Sequence, residues 1–223
     1  MYLLMLAIAL TSSQEDVIFS RDSGFYDSEF LLTLSTSSEA LKIFYTTDGS
    51  DPTNSTTSTE YIGPIRIIDR SQEPNIYGNY EEDMDSPYSI SYNKKYKKPP
   101  FLLDKAMVVR AVSKKGENYG NTISKTYFIT DKDLSLFQRY SIISLVTNPD
   151  NLFDADKGIY VLGNLYFEYK KNGNSDPSKP SNSHHVECNY RQRGSEWERE
   201  ASLTIFQNGE ISLEQNVGIR IKG

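Results

Sequence analysis

Asp48 and Asp51 stand three residues apart in the segment FYTTDGSDPT, residues 44–53. Paired carboxylates can share acid and base roles in glycoside hydrolysis. With Ser50 they also offer hard oxygen donors for Ca²⁺. The same residues build turns: Asp accepts local backbone hydrogen bonds, Gly takes positive φ, and Pro fixes φ and ends strand pairing. No Glu follows at loop-closing spacing, so a turn is the expectation. Asp154, Asp156 and Gly158 give a D-x-D-x-G spacing. It lacks the downstream bidentate Glu of an EF-hand, and a turn is again expected. Cys188 is the single cysteine, close in sequence to His184 and His185. A thiol–imidazole pair would need an orienting third group and oxyanion donors, and neither is legible nearby. Adjacent histidines on an extended chain point in different directions and have no metal-ligand neighbours, so they read as solvated. Lys222 is one basic group on an amphipathic strand. No GxSxG elbow, GxxxxGK[ST] loop or HExxH helix occurs in the chain. No catalytic, cofactor-binding or metal-ligating residue is therefore assigned.

Composition bounds the rest. The 223 residues suffice for one or two domains with a real core. The chain carries 16 Tyr and 10 Phe, and aromatics with many Thr, Ile and Val favour strands. The net charge is −6. Residues 1–140 hold 15 basic and 19 acidic groups, and residues 141–223 hold 9 and 11. Neither half is basic, so nucleic acid is not an expected partner. The one cationic cluster, Lys94, Lys95, Lys97 and Lys98, sits beside the acidic run Glu81, Glu82, Asp83 and Asp85 and reads as a solvated loop. One cysteine excludes an intramolecular disulfide framework and a CxxC metal site. The opening MYLLMLAIAL is too short to span a bilayer. We read residues 1–16 as a signal remnant with an Ala7-Ile8-Ala9 triplet, or else as an N-terminal strand. No other stretch approaches a transmembrane length.

Three blocks must position these groups. Residues 17–130 read as short strands separated by turns: 29–35, 41–47, 62–68, 107–115 and 123–130. Val109, Ala111 and Ser113 alternate with Val108, Arg110 and Val112, and the block reads as a β-sandwich. Residues 131–140 form a connector with one or two helical turns. In residues 141–223, SIISLVT reads as a buried strand. Asn148-Pro149 opens a turn, with Asp150 or Asn151 capping a short helical turn. Residues 159–163 (IYVLG) read as a further strand, and residues 169–186 as an exposed loop. Asn208-Gly209 marks a closing hairpin.

Two stretches resemble known families. FYTTDGSDPT together with VVRAVSKKG and a strand ending in TYFI closely resembles the chitobiase/β-hexosaminidase C-terminal-type domains, which are immunoglobulin-like sandwiches. The resemblance covers residues 17–130 and is interrupted by a polar insertion within 69–102. It implies an accessory module, since such a domain is not catalytic merely because it occurs in sugar hydrolases. SIISLVTNPDNLFDADKGIYVLGN with GSEWEREASLTIF and VGIRIKG resembles the opening of the CotH-type kinases, atypical kinases named for a spore-coat protein. Gly194, Trp197, Glu198 and Arg199 fit that family's pattern, while Glu200 replaces its proline before Ala201. Trp197 reads as a packing anchor, and Glu198 and Arg199 as ion-pair formers.

The expected fold is thus mainly β: an Ig-like β-sandwich followed by the first β-rich part of an α+β atypical-kinase-like domain, residues 141–223. The second resemblance implies an ATP- and divalent-metal-dependent parent whose catalytic segments lie beyond Gly223, so this chain alone is expected to be inactive. It also implies an extracellular, cell-envelope or spore-coat setting. The alternative is a non-catalytic module binding surface polysaccharide or spore-coat or cell-envelope proteins, with Tyr77, Tyr80, Tyr88, Tyr92 and Tyr96 available to stack on sugars. A weaker alternative is an accessory domain of a glycoside hydrolase. With Ile219 and Ile221 on an unpartnered edge, residues 141–223 are expected to be less stable than 17–130.

Overall fold

A computed structural model describes residues 16–38, 40–76, 87–88, 99–130, 135–172 and 187–221. The strands run β1 (Ile18–Phe19), β2 (Gly24–Tyr26), β3 (Phe30–Leu32), β4 (Leu34–Ser35), β5 (Lys42–Thr46), β6 (Thr59–Glu60), β7 (Ile65–Ile67), β8 (Met107–Lys115), β9 (Asn118–Tyr119) and β10 (Ile123–Ile129). A one-turn helix, α1 (Ser135–Gln138), leads to β11 (Ile142–Val146), α2 (Pro149–Phe153), α3 (Gly163–Lys171), β12 (Arg199–Gln207) and β13 (Glu210–Ile219). The architecture is mainly β and consistent with an Ig-like fold. No helix among the described residues is long and apolar enough to cross a membrane.

Alternation in β8 explains the layering. Met107, Val109 and Ala111 face a core completed by Ile43, Tyr127 and Ile129 on one side and by Val17, Leu32, Leu34, Ile65 and Ile67 on the other. The first set belongs to the central sheet, ordered β2-β10-β8-β5-β6 with β9 against β8. Most of the second comes from two short ladders, β1 with β4 and β3 with β7. This is a sandwich in which period-two patterning buries one face of each strand.

The opposite face of the central sheet is buried too. A third sheet, ordered β11-β12-β13, packs on it. Phe206 of β12 is fully buried and lies 5.1 Å from Phe25 of β2 and 6.0 Å from Phe128 of β10, centroid to centroid. Beside this cluster, Ser124 and Ser202 hydroxyls meet at 3.0 Å, and those of Thr126 and Ser144 at 2.7 Å. The outward face of β11–β13 is aliphatic. Ile143 aligns with Ile205 and Leu213, and Leu145 with Leu203. Ile143 is 64% exposed.

Several expectations are corrected. Residues 29–35 do not form one strand. The chain breaks at Thr33, whose N–H donates to Ser20 Oγ at 2.9 Å, and the two pieces pair in different ladders. Residues 159–163 are not a strand: the amides of Ile159 and Tyr160 donate back to the Asn151 and Leu152 carbonyls at 2.9 and 2.8 Å. Ile159, Val161 and Leu162 are buried as a compact turn, and a short apolar run does not distinguish that from a strand. Gly163, at φ +70°, then opens α3, which extends through Lys171 into the stretch expected as loop. The cap of α2 is Asn148, whose side chain accepts from the Asp150 amide at 3.0 Å, and Pro149 follows as the first helical residue. The Asn208-Gly209 hairpin holds, with φ of 54° and 81° as a primed turn needs. The signal remnant apart from Asp16, Tyr77, Tyr80, Tyr92, Tyr96, the Lys94–Lys98 cluster with its acidic run, His184, His185, Lys222 and Gly223 lie outside the described residues.

Candidate functional site

The FYTTDGSDPT segment is a closed turn at the end of β5. Asp48 Oδ1 accepts from the Ser50 amide at 3.0 Å and from its hydroxyl, while Oδ2 accepts from Thr57 Oγ1 at 2.7 Å. Asp51 Oδ1 accepts from the Thr53 amide at 3.0 Å. Burial acts to raise the Asp48 pKa, and the bonds from Ser50 and Thr57 outweigh it, holding the carboxyl below its ordinary value. A carboxylate kept ionised by its own loop is a poor proton donor, so acid catalysis by Asp48 is not supported.

The D-x-D-x-G loop also satisfies itself. Asp154 Oδ1 accepts from the amides of Asp156 and Lys157 at 2.9 and 3.0 Å. The carbonyls of Ala155 and Gly158 converge on the Asn189 side-chain amide at 3.0 and 3.1 Å. An N–H donor therefore occupies the place a cation would need. Among the described residues no group of three or more His, Cys, Asp or Glu could hold a metal.

Cys188 is fully buried beside Leu162 and Tyr166. Burial pushes its thiol up to about 11, against the opposing effects of Tyr190 and Arg191. The nucleophile is the thiolate, so Cys188 is inert by environment. At about pH 8 an aromatic disulfide reagent should label the native chain roughly a hundredfold or more slowly than the urea-unfolded chain. Equal rates would refute the buried placement.

In the GSEWERE segment, Glu198 pairs with Arg220 at 3.4 Å. Among the described residues Arg199 forms no such pair. Its guanidinium lies 5.1 Å from the Trp197 ring centroid and donates to the carbonyls of Lys157 and Glu196, both at 2.8 Å. Trp197 is thus half-buried, with the Arg199 guanidinium over its ring.

Sequence reasoning passed over the groups that join the two sheets. Arg110 projects from β8 toward β12, its side chain 3% exposed. It reaches Glu200 at 3.1 Å and the Gly49 carbonyl of the signature turn at 2.9 Å, while its Nε has no partner. Lys125 of β10 reaches Glu214 of β13 at 2.6 Å and Asp22 at 3.1 Å. Glu214 also accepts from Ser23 at 3.0 Å. Thr147 Oγ1 caps the carbonyl of Glu200 at 2.6 Å. The signal was present in VVRAV: a cation between apolar residues, with Val112 fully buried on its own side of the strand. Its carboxylate partner lies 90 residues away, beyond any local pattern.

Next to this joint lies a cavity of about 460 Å³. Its walls come from the signature turn, both flanks of the insertion, the end of β11, and α2.

The family of chitobiase/beta-hexosaminidase C-terminal domains matches residues 21–73. That match covers β2 to β7 with the signature turn, leaves out β1 and β8 to β10, and does not extend into residues 141–223. No curated protein matches the chain, and no solved structure does.

Proposed function

We propose that residues 17–130 serve as a non-catalytic accessory module of an extracellular or cell-envelope protein, holding it to surface polysaccharide or to other envelope proteins. The observation that carries this reading is the engagement of Asp48 and Asp51. Both oxygens of Asp48 and one of Asp51 are bound within their own turn, and the turn is pressed against Arg110. The carboxylates most suggestive of sugar chemistry are structural. The similarity of residues 21–73 to the chitobiase/beta-hexosaminidase C-terminal domains supports the same role. The test is binding of the full chain to insoluble polysaccharides and to a glycan array, with Tyr88, an exposed described tyrosine, as the probe position. Tyr88→Ala should weaken binding a few-fold to tenfold if its ring stacks on sugar. Absence of binding to every glycan would remove the polysaccharide arm and leave a protein partner.

A second reading assigns residues 141–223 to the leading part of a CotH-type kinase domain. It rests on the sequence resemblance and on the aliphatic outer face of β11–β13, which suits a sheet meant to receive another layer. ATP and a divalent metal would then be handled outside this chain. Calorimetry with ATP and Mg²⁺ should show no stoichiometric binding to residues 1–223, and tight binding would overturn this reading.

A further inference from the structure

We propose that the cavity at the joint is a binding site for an uncharged, largely apolar small molecule. Its volume, about 460 Å³, falls within the range of roughly 300–1,000 Å³ typical of small-molecule sites, which favour domain interfaces. Val108, Val146, Leu152 and Phe153 supply buried or half-buried apolar wall. Ile76, Leu103 and Leu145, on separate segments, converge on the same space while 68%, 40% and 49% exposed, Leu145 from the end of β11 where the aliphatic outer face meets the cavity. Three large aliphatic side chains left in water around one concavity are a patch with a purpose, not scattered surface apolars.

The charges of the wall decide what the ligand carries. Arg70 is paired with Glu73 at 2.6 Å and also donates to the Thr47 carbonyl at 3.5 Å. Both carboxylate oxygens of Asp48 are hydrogen-bonded. Lys105 donates to the Leu103 carbonyl at 2.8 Å, and Asp104 has a partner of its own. A ligand charge placed here would lose hydration and meet wall groups whose hydrogen bonds or ion pairs are already made. A neutral apolar body can rest on the aliphatic and aromatic part of the wall, which exceeds the polar part. Because the walls come from both the sandwich and the β11–α2 segment, such a ligand also bridges the two sheets. The site does not depend on either functional reading above.

The test uses the full chain and N-phenyl-1-naphthylamine, a probe that is uncharged at neutral pH and fluoresces in apolar surroundings. One saturable site per chain is expected. Leu152→Trp, which fills the cavity, and Leu103→Trp, which blocks its mouth on an exposed segment, should each weaken binding roughly tenfold or more. The second variant keeps the test valid where the first disturbs folding. Ile143→Glu with Leu213→Glu, on the outer sheet face, should leave binding unchanged. Naphthoate and naphthylmethylammonium should bind roughly tenfold or more weakly than the neutral probe. No saturable binding, binding indifferent to both tryptophan variants, loss on the outer-face variant, or equal binding of a charged analogue would each overturn the proposal.

Discussion

Phe206→Ala is expected to destabilise the protein by about 3–5 kcal/mol, the usual cost of deleting a buried phenyl ring. Phe206 is wholly excluded from water and sits edge-on to both Phe25 and Phe128, which are themselves stacked at 4.8 Å. Each such aromatic pair contributes about 0.5–1.5 kcal/mol beyond burial alone. A domain is typically stable by only ~5–15 kcal/mol, so the loss is a large share of the total. The effect should not stay in the third sheet, because Phe25 and Phe128 belong to β2 and β10. Urea denaturation should show one transition at lower midpoint, and hydrogen exchange should show β8, β10 and β12 amides losing protection together. Melting of β11–β13 with β8 and β10 unchanged would show that the layers fold separately. It would also bear out the expectation that residues 141–223 are the weaker part.

Glu200→Ala should cost about 1–3 kcal/mol. Breaking a buried ion pair from one side costs about 3–5 kcal/mol, and the 56% exposure of the Glu200 side chain lowers the figure. The loss arises because the Arg110 guanidinium stays buried, holding only the Gly49 carbonyl at 2.9 Å. Arg110→Met combined with Glu200→Ala should return stability to within about 1 kcal/mol of the parent, since no uncompensated charge remains. A single Glu200 variant as stable as the parent would remove this pair from the joint. The companion pair makes a contribution to stability that is sensitive to alkali. Burial disfavours charged Lys125, and its bonds to Glu214 and Asp22 outweigh burial, so its pKa lies above the ordinary 10.5. A raised folded-state pKa means the contribution is complete below about pH 10.5 and is lost as pH climbs through the folded value.

Much of the sandwich was legible in the sequence. MVVRAVSKK reads as a strand and is β8 over the same nine residues, because alternation and β-branched content agree there. The DGSDPT turn was legible for the same reason: its hydrogen bonds are local, Asp48 to Ser50 and Asp51 to Thr53. What depends on distant partners was not. Residues 159–163 have strand composition, yet their amides fold back on α2 and Gly163 turns into α3. Thr33 breaks a strand because Ser20 takes its amide. Glu200 stood out only as a departure from a family pattern. Its role became visible once β12 was laid across β8 and its carboxylate met Arg110.

Between the central sheet and β11–β13, hydroxyl faces hydroxyl at Ser124–Ser202 and Thr126–Ser144, with Lys125 and Glu214 alongside. Two greasy sheets can slip past each other, since apolar attraction is non-directional. Here a slip of two residues, about 7 Å along a strand, would part all three pairs at once. The seam therefore behaves as a keyed coupling and not a bearing. Load applied along the strands would be shared by every key together, and the β12–β13 hairpin would move with the sandwich as one lever.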